Sequence, residues 1–278
     1  MKVFKIQSEL LSYLKKYRKN NTVGFIPTMG ALHKGHLQLI EASKKECKIT
    51  ICSIFINPTQ FNNADDFKKY PNSLKEDLEK LQLFKCDIVY TPTVDNLYAK
   101  GESAKKFDFG TLAHTMEAKF RPGHFNGMAT IVEKFFNIIK PKKAFFGQKD
   151  LQQLQIVKEL VKQMNTQIEI ISVPTVRGAN GLAESSRNQL LSENAKNTAA
   201  LIYNCLNYCL ENKKSGVEKL KTHVESLFKK QDHLKLEYLE FVDLNSLLPI
   251  QKWRRKNKNA ICIAASIDGV RLIDNIIL

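Results

Sequence analysis

The 278-residue chain reads as an α/β protein, a doubly wound parallel sheet followed by a smaller α+β domain with an antiparallel sheet. Three observations predict this. β-Branched and aromatic runs alternate with helical periods through roughly the first 175 residues, the order that gives a parallel sheet covered on both faces. Each run is closed by Pro, Gly or Asn. After Pro174 the order changes to helices followed by consecutive strands, which argues for a separate antiparallel sheet. The boundary falls near residue 175, giving domains 1–175 and 176–278.

Taken in order, MKVFKIQSELLSYLKKYRKN (1–20) reads as an amphipathic helix rather than a signal peptide. TVGFIPT (22–28) is the first strand, ending at Pro27, and Leu37, Ile40 and Ala42 mark the helix behind it. ITICSIFI (49–56) is followed by the helical period of Leu74, Leu78 and Leu81, and CDIVYTP (86–92) by that of Ile131, Phe135 and Ile138. KAFFG (143–147) leads through a short turn into an amphipathic helix, and IEIISVP (168–174) closes the series. Ligands are expected at the carboxyl ends of these strands. The loop VRGANGLAESSRNQ then opens the second domain, with helices over about 192–211 and 215–230 and the strands LEYLEFVD, NAICIAASI and VRLIDNIIL.

Hydrophobic residues at 43% and charged ones at 26% are near globular averages, which excludes a disordered, collagen-like or disulfide-miniprotein architecture. No stretch reaches the roughly 18 to 20 apolar residues that cross a bilayer, so a soluble, cytoplasmic chain with no membrane partner is expected. Most of the six cysteines (47, 52, 86, 205, 209, 262) sit in apolar runs, and none forms a CxxC pair. They read as buried reduced thiols ahead of disulfides or metal ligands. The net charge of +15 is spread from end to end. Only WRRKNK (253–258) is dense; it reads as a solvated loop, with nucleic-acid contact as the other reading. A diffuse basic balance also suits an enzyme whose substrates are anions.

The sharpest motif is FIPTMGALHKGHLQLI (25–40). An apolar strand gives way to a loop holding Gly30, and His33-Lys34-Gly35-His36 opens the next helix. Positions i and i+3 share a helix face, so both imidazoles point to the space above the strand ends, where a helix N-terminus favours phosphate. Gly35 lets a flat base or ribose lie against the backbone. A metal held by the two histidines, or a structural capping role for them, are the competing readings. FFGQKDLQQL (145–154) repeats the geometry: Lys149 projects a cation at the same sheet edge, suited to β and γ phosphates, or else it is simply solvated. In GLAESSRNQLLS (181–192), Ser185, Ser186 and Arg187 offer donors to phosphate oxygens, Gly178 and Gly181 let the loop close, and a plain helix cap is the alternative for the serines.

With these elements in order, the chain resembles the pantothenate synthetase family, pantoate–β-alanine ligases of a nucleotidyltransferase superfamily that shares its histidine signature with class I aminoacyl-tRNA synthetases. The resemblance covers nearly the whole chain. It rests on PTMGALHKGH (27–36), SIFINPTQF (53–61), YPNSLKEDL (70–78), RPGHFNGMATIV (121–132), FFGQKDLQQL, VPTVRGANGLAESSRN (173–188) and the ending RLIDNIIL. A lone HxGH occurs in many adenylyl-transferring enzymes; the linked set with NPTQF is far more specific.

The resemblance implies a Rossmann-like first domain that binds ATP and pantoate, and a C-terminal lid. It implies ATP-dependent condensation of pantoate with β-alanine to pantothenate, AMP and pyrophosphate through an enzyme-bound pantoyl adenylate. His33 and His36 then contact the nucleotide phosphates, Lys149 steadies the transferring phosphate, and Ser185, Ser186 and Arg187 take the part that KMSKS plays in the synthetases. Pantoate is held by Gln60 and Gln153 beside Met29 and Phe146. Asp150 accepts from the ribose; Pro27, Thr28, Met29, Gly30, Gly35, Gly147 and Val176 complete the ATP contacts. Mg²⁺ bridges the ATP phosphates, with Asp77 matching the family's acidic position. A homodimer is implied, and no nucleic acid.

The chain departs from the family pattern at three positions. Glu184 stands where an apolar Met or Leu is common, Gly178 where acidic or polar character is common, and Gln148 where Glu is frequent. Glu184 is expected to turn outward to solvent or to pair with a Lys or Arg. Two other functions compete. A nucleotidylyltransferase that keeps the adenylyl group on its product needs no glutamine pair and no amine acceptor, and an RNA-binding protein on a synthetase-like domain is favoured only by the charge.

Overall fold

The computed structural model describes all residues except 17–21, 63–66, 69 and 254–257. The chain gathers into two compact units. The first comprises Met1–Phe109, Phe120–Gly147 and Gln153–Pro174; the second comprises Gly110–Lys119, Gln148–Gln152 and Thr175–Leu278.

The first unit carries a six-stranded parallel sheet in the order β1-β4-β3-β2-β5-β6, formed by β1 (Lys2–Phe4), β2 (Val23–Thr28), β3 (Ile49–Ile54), β4 (Ile88–Tyr90), β5 (Lys143–Gly147) and β6 (Glu169–Val173). Successive strands step outward from β2 to β3 to β4, and β5 then starts on the other side of β2. The strand order therefore reverses between β2 and β5, where a doubly wound sheet opens its ligand crevice at the carboxyl ends.

Alternation along β2 assigns its two faces. Phe25 packs edge-on against Phe135 and Phe136 of one covering helix, at 5.7 and 6.3 Å between ring centroids. Ile26, its neighbour, joins Leu39, Ile40, Cys52, Val89 and Phe145 on the opposite face. The helices of this unit are α1 (Gln7–Lys15), α2 (Lys34–Glu46), α3 (Leu74–Leu83), the short α4 (Val94–Leu97), α6 (His124–Ile139) and most of α7 (Leu151–Gln163). Between them, in chain order, lies α5 (Met116–Phe120). Gly24 is required where α2 crosses β2, because a Cβ there would meet Ser43 Oγ at 2.2 Å.

The amino terminus departs from expectation. Residues 2–4 form β1, paired Lys2 to Ile88, Val3 to Val89 and Phe4 to Tyr90, and only then does α1 begin, with Leu10 and Leu14 buried. The open edge of β4 offers backbone partners that a helical first turn could not use, and edge pairing prevails for three residues; residues 17–20 of the expected helix lie outside the described residues. β2 ends at Thr28, the last residue of the expected run and one past Pro27. Pairing of β2 with β5 extends only to Phe25 and Ala144, and Pro27 has no N–H to give a central ladder.

The second unit carries a three-stranded antiparallel sheet of β7 (Leu234–Asp243), β8 (Asn259–Ile267) and β9 (Val270–Ile277), in that order. β8 and β9 are joined by Asp268 and Gly269, both at positive φ, the two-residue turn that matches strand twist. A shift of register between Leu236 and Tyr238 marks a bulge in β7. The helices α8 (Glu193–Ala199), α9 (Leu201–Glu211) and α10 (Val217–Phe228) bury Ile202, Leu206, Leu220 and Val224 against Phe241, Ile261 and Ile263.

Hydrogen bonds explain why two short segments belong here. The Gln152 amide donates to the carbonyls of Leu112 and Thr115 and accepts from the N–H of Glu117. Glu117 is in turn held by both terminal nitrogens of Arg271, at 2.6 Å each, and by the Tyr238 hydroxyl at 2.7 Å. All six cysteines are buried free thiols. Trp253, the first residue of the basic run, donates its indole N–H to the Lys213 carbonyl and packs on Phe241; residues 254–257 lie outside the described residues. Among the described residues, no helix is long and apolar enough to cross a membrane.

Candidate active site

At the end of β2 the chain turns through residues 29–32 into α2. Gly30 (φ 85°) and Ala31 (φ 49°) both take left-handed backbone, and the turn is held from outside. Thr28 Oγ1 donates to the Ser53 carbonyl and accepts from the Gly30 N–H. Asp77 on α3, only 1% exposed, accepts the N–H of Ala31 at 2.8 Å and of Leu32 at 2.7 Å. One helical turn on, Lys80 donates to the Leu32 carbonyl. The loop is thus clamped by two side chains of one helix face.

His33 is the N-cap of α2, and its Nδ1 accepts the Gly35 N–H at 3.1 Å. His36 reaches back, its Nδ1 accepting the His33 N–H at 3.4 Å, and the rings lie 4.0 Å apart. This is a capping box built from two imidazoles. An Nδ1 that accepts leaves the proton of a neutral ring on Nε2, so each ring presents a donor on its far side. The cap and phosphate readings of these histidines are therefore compatible. The metal reading is not, since a ligating nitrogen needs a free lone pair.

A second cluster of the first unit surrounds Gln60. Asn57 (1% exposed) donates to Gln60 Oε1 and to the Gly127 carbonyl. Its own oxygen accepts from the hydroxyls of Tyr98 at 2.7 Å and Thr59 at 3.1 Å. Burial pushes the Tyr98 phenol above its ordinary pKa, keeping it a donor. With its oxygen fixed by Asn57, the Gln60 amide turns its NH₂ to Met29, 2.8 Å from the sulfur. His124 donates from Nδ1 to the Gln60 carbonyl at 2.7 Å, with Arg121 at 3.1 Å on its Nε2. Gly127 admits this packing: a Cβ there would lie 2.1 Å from the Thr59 carbonyl oxygen.

In the second unit, Gln148, Lys149 and Asp150 form a half-buried 3-10 turn. Asn275 of β9 donates to the carbonyls of both Gln148 and Lys149. The loop that follows β6 folds back on itself, with a bridge between Arg177 and Ala183 and the Glu184 N–H bonded to the Val176 carbonyl. Arg177 pairs with Asp274, donates to the Gly181 carbonyl and lies 3.8 Å from the Tyr203 ring centroid. Gly181 takes φ 87°, and a Cβ there would strike Tyr203 at 2.4 Å, so only glycine closes this loop. Ser185 caps the 3-10 helix Ser186–Leu190 by accepting the Arg187 N–H, and Ser192 caps α8.

Met29 and Gln60 are thus in contact. Phe146 is buried one residue before the end of β5, and Gln153 is half-buried on the first turn of α7. The sequence reading did not single out Asn57, His124, Lys80 or Asn275. Asn57 and His124 do lie inside the quoted segments INPTQF and RPGHF, which is the signal that could have found them. Glu184 is half-buried, and among the described residues its carboxylate has no ion pair. With its backbone N–H committed to Val176, Glu184→Met is expected to change the KM for ATP by less than about threefold, the outcome for a carboxylate that does not face the phosphates. A gain of tenfold or more in titrations of ATP would show that it faces the phosphates.

Asp77 does not fit a metal ligand. Both of its oxygens accept backbone N–H groups in a buried turn, and among the described residues no three His, Cys, Asp or Glu side chains converge on one point.

Comparison with known proteins follows the same lines. The family model described as pantoate-beta-alanine ligase matches residues 2–277. The chain is 42% identical over 276 residues to the pantothenate synthetase of Cytophaga hutchinsonii, covering 98% of this chain and 97% of that one. It is 43% identical over 282 residues to that of Flavobacterium psychrophilum, covering both in full. Among solved structures, pantothenate synthetase from Thermus thermophilus superposes with a TM-score of 0.93 at 34% identity, over 99% of each chain. Pantoate-beta-alanine ligase from Francisella tularensis, complexed with beta-gamma ATP and beta-alanine, superposes with a TM-score of 0.84 at 35% identity, over 100% of this chain and 97% of that one.

Proposed function

Since the chain belongs to the pantoate–β-alanine ligase family and is an ATP-dependent ligase that joins pantoate to β-alanine, we propose that it works through an enzyme-bound pantoyl adenylate. A pantoate carboxylate oxygen bonds to the α-phosphorus of ATP as the bond to the β-phosphate breaks and pyrophosphate leaves. The β-alanine amine then attacks the acyl carbon, the C–N bond forms, the bond to AMP breaks, and the amine gives up its proton.

The histidine capping box carries this reading. Its two Nε2 donors sit at the first turn of a helix behind the switch strand, a place already favourable to phosphate, and they stabilise charge as it shifts toward the leaving group. Lys149, Ser185, Ser186 and Arg187 add charge and donors to the same phosphates. Pro27, Thr28, Gly30, Gly35, Gly147, Asp150 and Val176 complete the nucleotide contacts. Gln60, its NH₂ turned toward Met29 by Asn57, donates to pantoate oxygens there, with Gln153 and Phe146 as the other partners. Residues 1–175 bind ATP and pantoate in this reading, and residues 176–278 serve as a lid. Magnesium would enter with the nucleotide phosphates and offset their charge, while Asp77 holds the turn of Ala31 and Leu32. The working enzyme is a cytoplasmic homodimer.

Omitting substrates in turn tests the proposal. ATP with pantoate alone is expected to exchange labelled pyrophosphate into ATP, and AMP is expected to accumulate only when β-alanine is added. Formation of ADP would mean attack at the γ-phosphate and would end this reading.

A further inference from the structure

Two consecutive residues near the end of the chain, Asp274 and Asn275, are polar and almost completely buried, at 4% and 3% exposure. Burial of such groups is costly unless partners meet them, and here every polar side-chain atom of the two is met except Asn275 Oδ1. On a strand their side chains leave on opposite faces. Asp274 meets Arg177, which closes the loop leading to the serine pair. Asn275 meets the turn after β5. Its primary amide has two hydrogens, and each goes to a different carbonyl, that of Gln148 at 2.9 Å and that of Lys149 at 2.8 Å.

A side chain that takes two successive carbonyls fixes the two peptide planes that flank the Lys149 Cα, and with them the direction in which the Lys149 side chain leaves the backbone. Asn275 thus seats this turn on one face of the sheet. We infer that Asn275 is a positioning residue for Lys149: it touches no reacting atom, and it aims the cation that neutralises the phosphates. The inference rests on the reading of Lys149 given above.

A double-mutant cycle on pantoate-dependent pyrophosphate exchange separates the two. Lys149→Ala and Asn275→Ala are each compared with the double variant, with circular dichroism as the check on folding. Misaiming a group by about an ångström costs up to roughly 10²-fold in rate, so Asn275→Ala is expected to slow exchange by about 10- to 100-fold. If it acts through Lys149, the double variant is no slower than Lys149→Ala, and the KM for pantoate stays within about twofold. Effects that multiply in the double variant would overturn the inference and leave the reading of Lys149 standing. Parental exchange in Lys149→Ala would overturn both. Should Asn275→Ala fail to fold, the cycle is run with Asn275→Ser, which keeps one donor and is expected to fall between the parent and Lys149→Ala; a Ser variant at the parental rate would also count against the inference.

Discussion

His36→Ala is expected to lower pantoate-dependent pyrophosphate exchange by about 10²-fold or more, on the order of 3 kcal/mol, while the chain stays folded. The residue has two tasks that separate by atom. Nδ1 accepts the His33 N–H and caps α2; losing a cap costs about 1 kcal/mol of stability. In the proposed reading Nε2 carries the proton and serves the phosphates, so its loss is expected to be felt in the transition state. His36→Glu divides the two tasks, because a carboxylate at this third helical position can still accept the His33 N–H but offers phosphate a like charge. The expected pattern is a thermal midpoint near the parent's for His36→Glu and a modestly lowered one for His36→Ala, with exchange lost in both. Exchange within tenfold of the parent in His36→Ala would remove this histidine from the phosphate set.

The next largest effect is expected at a residue with no side chain. Gly127→Ala places a methyl 2.1 Å from the Thr59 carbonyl oxygen, 2.5 Å from its carbon and 2.7 Å from Gln60 Cα. None of these atoms can swing aside, so α6 and the 3-10 turn Pro58–Gln60 must separate. Overpacking of this kind costs about 1 to 3 kcal/mol. The displacement breaks the bond from Asn57 to the Gly127 carbonyl and with it the hold on the Gln60 amide. The KM for pantoate is therefore expected to rise about tenfold or more, and that for ATP far less, as read from steady-state titrations beside a denaturation curve. Parental stability together with an unchanged KM for pantoate would show that the helix and the turn have room to give.

Much of the first sheet was legible because its strands are short apolar runs with hard stops. Ile49–Ile54 and Lys143–Gly147 announce themselves by composition alone. Lys2–Phe4 does not: three residues carry too little pattern, and their strand state comes from an edge that lies almost ninety positions away, at Ile88. The imidazole pair was legible in its spacing, since i and i+3 on a helix must meet. Asp77 was singled out by the family resemblance as a metal-linked acid, and the structure shows it holding a turn. Residue type cannot tell a carboxylate that holds cations from one that holds amide hydrogens, and the deciding partners, Ala31 and Leu32, are over forty residues distant. His124 and Asn275 act on backbone carbonyls, which every residue has, so no side-chain pattern marks their targets, and Asn57 divides its bonds between the Gly127 carbonyl and side chains of which Tyr98 is far off in sequence. For the same reason no single cut in the chain expresses the way Gly110–Lys119 and Gln148–Gln152 gather with Thr175–Leu278 through Gln152 and Glu117.

The six buried thiols bear on how the protein can be studied. Burial raises the pKa of every one of them, Cys205 to about 11 and Cys86 and Cys209 to about 12. The thiolate is the species that reacts with maleimides, iodoacetamides and disulfides, and near neutral pH almost none is present at these positions. Toward such reagents the folded chain behaves as though it had no cysteine at all. A single cysteine placed on the surface then becomes the one address for a fluorophore or spin label, and the parent sequence can be labelled without first stripping six residues from its cores.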